Sequence, residues 1–114
     1  MANSDELSYR LAVRIFRGEK CFGPGLAQLL RKVSISKSLR SASTQMHMAY
    51  SKAWRIVKES ETALGFALLS SQTGGKNGGG AALTPQADEL LAHYDAFLHE
   101  LGILADELFE KHFG

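Results

Sequence analysis

Cys21 is the only cysteine of the chain, so no internal disulfide can form, and neither Cys nor His stands at zinc-site spacing from it. It reads as a small buried apolar residue. The four histidines, His47, His93, His99 and His112, include no HxxxH pair. His93 and His99 fall nearly opposite one another on a helix, so no metal site and no cofactor are expected. Although 45% of the 114 residues are hydrophobic, no apolar run approaches the ~20 residues a membrane span needs. The opening MANSDELSYR also lacks the basic-then-apolar layout of a signal peptide. A soluble, cytoplasmic protein without a membrane partner is the expectation. Neither a Ser-His-Asp nor a Cys-His constellation can be argued from spacing. The acids Asp88, Glu89, Asp95, Asp106, Glu107 and Glu110 share one amphipathic helix, where acids opposite an apolar stripe are ordinarily its solvated face. The chain is therefore not read as an enzyme.

The length fits one domain with a real core. A formal net charge of +1 conceals a segregation: residues 1–58 hold eleven Lys and Arg against three Asp and Glu, whereas residues 84–114 hold one lysine against seven acids. A basic body joined to an acidic helix points to an anionic partner, nucleic acid first. The alternative is a solvated surface whose two halves attract each other.

Residues 7–17 alternate, with Leu11, Val13 and Ile15 on one face, which is the period of a half-buried strand. Turn signals follow, then Leu26, Leu29, Leu30 and Val33 at the spacing of a short amphipathic helix. Ser36 is the expected N-cap of a second helix over residues 37–44, with Ile35 packing beneath. A brief turn over residues 45–48 leads to a third helix over 49–64, stopped by Gly65. Two short helices joined in this way make a helix-turn-helix candidate, and Ala42, Ser43, Met46, Met48, Ala53 and Ile56 suit its packing positions. At the turn, where glycine is usual, the chain carries His47, a residue type enriched among non-glycines at positive φ. Trp54 is expected on the inner side with Ala53 and Val57.

Residues 72–80 read QTGGKNGGG between two apolar runs, 66–69 and 81–83. This is a hairpin with a long tip whose glycines allow positive φ and close approach to another surface. A phosphate-binding P-loop is excluded, because Ser70 stands where its first glycine is required and Asn77 where a Ser or Thr must follow the lysine. Thr84-Pro85 then starts a last helix. Along it Ala87, Leu90, Tyr94, Phe97, Leu101, Leu104 and Leu108 recur in steps of three and four, widened by Leu91, Leu98 and Ala105, as in a helix packed on a helical partner. Gly102 costs that helix about 1 kcal/mol relative to alanine and permits a bend.

Strand, helix, helix-turn-helix, hairpin and long helix together make a winged helix-turn-helix. The expected fold is mainly α with a small β component: an N-terminal strand, a Gly-rich wing and a long C-terminal dimerisation helix, the body spanning residues 1–83 and the helix 84–114. Residues 35–36 (IS), 48–54 (MAYSKAW), 73–81 (TGGKNGGGA) and 83–85 (LTP) resemble the N-terminal DNA-binding domain of the molybdate-responsive, ModE-type transcriptional regulators, themselves similar to LysR-type DNA-binding domains. The resemblance covers roughly residues 9–101. It implies a regulator that binds duplex DNA as a homodimer through the long helix, with the third helix in the major groove. The groove-facing residues it implies are Tyr50, Ser51, Lys52 and Arg55, at the helix end where side chains meet base edges. Thr73, Lys76 and Asn77 become wing contacts to the minor groove or phosphates, and Ser36, Lys37 and Arg40 candidate phosphate contacts. Leu90, Leu91, Tyr94, Phe97, Leu98, Leu101, Leu104 and Leu108 form the expected dimer interface.

Two departures from the family pattern stand out. A basic residue commonly precedes the wing loop in the family, where this chain reads Ser70-Ser71-Gln72. The ligand-binding region of these regulators follows the DNA-binding domain, and the sequence ends at Gly114, so no molybdate binding is expected. The rival function, favoured by His47 and the neutral flank of the wing, is a winged-helix module that docks onto another protein and does not bind DNA specifically.

Overall fold

A computed structural model of the chain describes residues 6–72 and 80–114. The elements run β1 (Ile15–Arg17), β2 (Glu19–Phe22), α1 (Pro24–Ser36), α2 (Leu39–Gln45), α3 (Tyr50–Leu64), β3 (Leu69–Gln72), β4 (Gly80–Leu83) and α4 (Pro85–Phe113). The fold is mainly α with a small β component, a winged helix as the order of elements implied. Among the described residues the strands form two separate antiparallel hairpins, β1-β2 and β3-β4. The wing residues Thr73, Lys76 and Asn77 lie outside the described residues.

The core is the inner stripe of α1 clamped by the helix-turn-helix. Leu29, Leu30 and Val33 are fully buried beside Ala42, Ala53, Val57 and Leu68, each large aliphatic contributing about 1.5–3 kcal/mol by its removal from water. Cys21 is buried with them, as its lack of partners suggested. Ser60 on α3 donates to the Cys21 carbonyl, and Arg17 donates to the Leu64 carbonyl at the end of α3 at 2.7 Å. The helix then ends on Gly65 at φ 87, a left-handed position that glycine occupies without a Cβ penalty.

The expected strand over 7–17 shrinks to its last three residues. β2 has only four residues before Gly23-Pro24 opens α1, so there is no partner ladder for residues 7–14. Leu7 and Leu11 are exposed instead. That segment lies along α4: the Tyr9 ring sits 4.9 Å from that of Phe109, its hydroxyl donates to Asp106, and Tyr94 Oη donates to the Val13 carbonyl at 2.7 Å.

Two further boundaries move. Ser36 does not cap α2; it closes α1, its hydroxyl directed at the carbonyls of Lys32 and Ser38, and Lys37 follows in the left-handed region at φ 61. Ser38 is the cap, its Oγ accepting the Ser41 N–H at 3.0 Å, because the left-handed Lys37 delays the second helix by two residues. The first wing strand is likewise Leu69–Gln72 instead of 66–69. Glu61 holds the approach to it: its Oε2 accepts the Leu68 and Leu69 N–H groups at 2.7 and 3.3 Å, and the pairing with β4 begins at Leu69.

At Thr84 the wing and the last helix meet. Its N–H donates to Leu68 at 3.0 Å, its hydroxyl donates to the Ala67 carbonyl at 2.7 Å, and the same oxygen accepts the Ala87 N–H at 3.1 Å as the N-cap of α4. α4 runs unbroken through Gly102 to Phe113.

Candidate nucleic-acid interface

The turn between α2 and α3 is built from Ser43 and His47. Ser43, 1% exposed, accepts the Met46 and Met48 N–H groups on its carbonyl at 3.1 and 2.9 Å. His47 takes φ 55, the left-handed conformation in which His is one of the tolerated non-glycine types. The small residues Ala42 and Ala53 are fully buried where the helices touch. α3 therefore emerges with its first turn outward, capped at Ala49 by no side chain, so orphan N–H groups and the positive end of the helix dipole face the surroundings.

Tyr50, Ser51, Lys52 and Arg55 are all exposed on that first turn and a half. Arg55 lies 3.9 Å from Glu59 in a solvent-exposed pair, which contributes at most about 1 kcal/mol and leaves the guanidinium free to exchange partners. Arg40 on α2 places its guanidinium 4.2 Å from the Tyr50 ring centroid, a cation-π contact that fixes both side chains. Lys37 is exposed, while its carbonyl accepts the Ala81 N–H at 2.9 Å and so docks the wing against the α1-α2 corner. Ser36 is half-buried and turned toward carbonyls of its own chain, which makes it the weakest of the proposed phosphate contacts.

Trp54 is not in the core. It is 49% exposed, because the buried line of α3 runs through Ala53, Val57, Ser60 and Leu64 and places residue 54 about 100° around the helix. Tyr50, Trp54 and Lys58 instead form a stripe at i, i+4 and i+8. With Arg40 they make one wall of an open cleft of about 380 Å³, whose other wall is Ser70 and Ser71 at the base of the wing. Lys58 Nζ stands 5.6 Å over the Trp54 ring and 3.2 Å from Glu61. The four-residue spacing was visible in the sequence; the assignment of Trp54 to the core hid it.

The residues expected at a dimer interface divide into two sets. Tyr94 is 2% exposed, its ring packed edge-to-face on Phe22 with centroids 4.9 Å apart. It is a core residue of its own body, which corrects its assignment to the interface. Burial pushes its phenol above the ordinary value, with Asp95 adding to the shift and Arg31 and Arg14 opposing it. Leu90, Leu91 and Leu98 are half-buried against the same core, and Leu101 is half-buried farther along. Phe97, Leu104 and Leu108 are 52%, 57% and 55% exposed, with Ile103 beside them.

Among the described residues a single ion pair, Arg31 with Asp95, joins the basic body to the acidic helix. The two charged regions therefore leave most of each other's charge uncompensated. No helix among the described residues is long and apolar enough to cross a membrane, and no group of three or more His, Cys, Asp and Glu among them is placed to hold a metal ion.

No protein-family model matches the chain. It is 35% identical over 88 residues to the transcriptional regulator ModE of Haemophilus influenzae, a match covering 74% of this chain and 34% of that protein. It is 38% identical over 64 residues to the molybdenum transport protein ModE of Herbaspirillum seropedicae, covering 56% and 24%. It is 32% identical over 72 residues to the DNA-binding transcriptional dual regulator ModE of Escherichia coli K12, covering 63% and 28%. The chain thus spans a third or less of the length of these relatives. The resemblance to ModE-type regulators seen in its motifs holds over much of its length.

Proposed function

We propose that this winged helix, similar to the ModE transcriptional regulators, is itself a regulator that binds duplex DNA sequence-specifically as a homodimer. The observation that carries the reading is the start of α3, where Tyr50, Ser51, Lys52 and Arg55 stand exposed on the basic part of the chain and Tyr50 lines a cleft with the base of the wing. A helix presented in this way enters the major groove, where Arg and Lys pair with guanine acceptors. Lys37 and Arg40 flank it at the position from which the preceding helix meets phosphates. Thr73, Lys76 and Asn77 of the wing reach the adjacent minor groove or backbone.

The exposed apolar line Phe97, Leu104 and Leu108, with the half-buried Leu101, supports pairing of two copies along α4, Leu90, Leu91 and Leu98 contributing their uncovered edges. Leu104→Glu combined with Leu108→Glu yields a monomer by light scattering, with the fold of the body intact. A double variant that still dimerises as tightly as the parent moves the interface elsewhere.

Selection of bound duplexes from a random pool tests the function directly. Enrichment of a motif, lost when Lys52 and Arg55 are replaced by Ala, is the expected result; affinity for all duplexes falls steeply with salt as counterions are released. A pool that yields no motif, with no binding tighter than about millimolar at low salt, rejects the reading. That outcome favours the protein-docking module.

A further inference from the structure

We infer that the cleft between α3 and the base of the wing seats one strand of the DNA backbone, with Trp54 against a deoxyribose and Lys58 and Arg40 beside the flanking phosphates. This rests on the DNA-binding reading above and adds Trp54, Lys58, Ser70 and Ser71, which it does not use. Trp54 presents an apolar face at 49% exposure inside a cleft whose described lining also carries two cations, Arg40 and Lys58, and three serines. Along a nucleic-acid strand each sugar lies between two phosphates, and in the cleft the Tyr50 and Trp54 rings lie between the Arg40 and Lys58 cations. Along α3, Tyr50, Trp54 and Lys58 are about one helical turn apart, roughly 6 Å.

The wall across the cleft explains the neutral flank of the wing. Ser70 and Ser71 stand where a basic residue is otherwise expected, and Lys58 faces them from α3. The ammonium is held by Glu61 at 3.2 Å, and the same carboxylate ties down the start of β3. One of the three donors of Lys58 is thus engaged, which leaves others for phosphate oxygens. The cations of this cleft stand on helices, and the Ser71 hydroxyl supplies a neutral donor opposite.

Trp54 is the only tryptophan of the chain, so its fluorescence reports on the cleft alone. The experiment follows acrylamide quenching of the full chain with and without a random-sequence duplex, while anisotropy of a labelled duplex measures binding independently. Duplex binding is expected to lower the quenching constant at least about twofold, as the seated backbone strand covers the ring. Lys58→Gln is expected to weaken binding to all duplexes alike, roughly fivefold to tenfold near 0.1 M salt, and to reduce the salt slope by about one. Ser70→Lys, an exposed change that leaves the fold in place, is expected to raise affinity and steepen the slope by a similar amount. Lys58→Arg should retain most of the parent's affinity. Binding by anisotropy with unchanged Trp54 quenching and an unchanged Ser70→Lys slope overturns the cleft assignment while leaving the DNA-binding function standing. No binding by anisotropy overturns both.

Discussion

Replacing Tyr94 with Phe removes one hydroxyl and tests how α4 is fixed to the body. The hydroxyl donates to the Val13 carbonyl at 2.7 Å, and the ring, 2% exposed, meets Phe22 at an interplanar angle of 74°. Phenylalanine keeps the ring contact and loses the hydrogen bond. A hydrogen bond of this kind contributes about 0.5–1.5 kcal/mol net, and up to about 3 when the abandoned partner stays dry. Val13 is half-buried, and the expected loss is about 1 kcal/mol. For a domain of this size that lowers the Tm by about 4 °C. Tyr94→Ala also removes the ring and should cost about 3–5 kcal/mol. Urea unfolding followed by circular dichroism gives the stability, and sedimentation equilibrium gives self-association. The Phe variant should lose stability and keep the parent's association constant. A variant of parental stability that associates more weakly would refute the placement of Tyr94 in the core of its own chain.

Three further predictions follow from local geometry. Ser38→Ala removes the cap of α2 and should cost about 1 kcal/mol in urea unfolding, whereas Ser36→Ala, at the end of α1, should cost less; the reverse order would restore Ser36 as the cap. His47→Gly relieves a side chain held at φ 55 and should change stability by less than about 1 kcal/mol in the favourable direction, the relaxed native strain being offset by a freer unfolded chain. A loss larger than that would show that the imidazole makes a contact the fold needs. Because burial raises the Tyr94 phenol above its ordinary 10.0, the folded state holds that proton more tightly than the unfolded state. The associated stability is whole below pH 10 and is lost as pH rises through the folded value, a decline that Tyr94→Phe should make shallower.

The helices were legible because their signals are local and redundant. Gly65 ends α3 and Thr84-Pro85 begins α4 where the sequence places them, since caps are set by single residue types. The wing and the helix-turn-helix followed from their order. What escaped depended on partners distant in the chain. Residues 7–14 alternate like a strand, but β2 is too short to pair with them, and no local pattern records the length of a partner. Lys37 at φ 61 displaced the second cap by two residues, and few sequence signals mark a left-handed lysine. Tyr94 and Trp54 exchanged their expected environments for a related reason. A heptad stripe does not say which of its members meets the same chain and which a second copy. On α3, a shift of one residue turns a side chain by about 100°, enough to carry Trp54 out of the core and into the cleft. At the proposed interface, Tyr50, Ser51, Lys52 and Arg55 were named from the start of α3 alone, whereas Lys58, Ser70 and Ser71 became visible as candidates only when the wing was set beside that helix.

Thr84 makes α4 a lever. The helix has 29 residues and so extends roughly 44 Å from that residue. A tilt of about 5° at its base sweeps the far end by about 4 Å, comparable with the ~3.4 Å step between base pairs. The bonds from Thr84 to Ala67 and Leu68 hold its base, and the contacts of Tyr94 with Val13, Asp95 with Arg31 and Asp106 with Tyr9 hold it farther along. In the proposed dimer they act as a ruler: replacing Thr84 would alter the separation of the half-sites the protein accepts, while every residue that touches a base stayed the same.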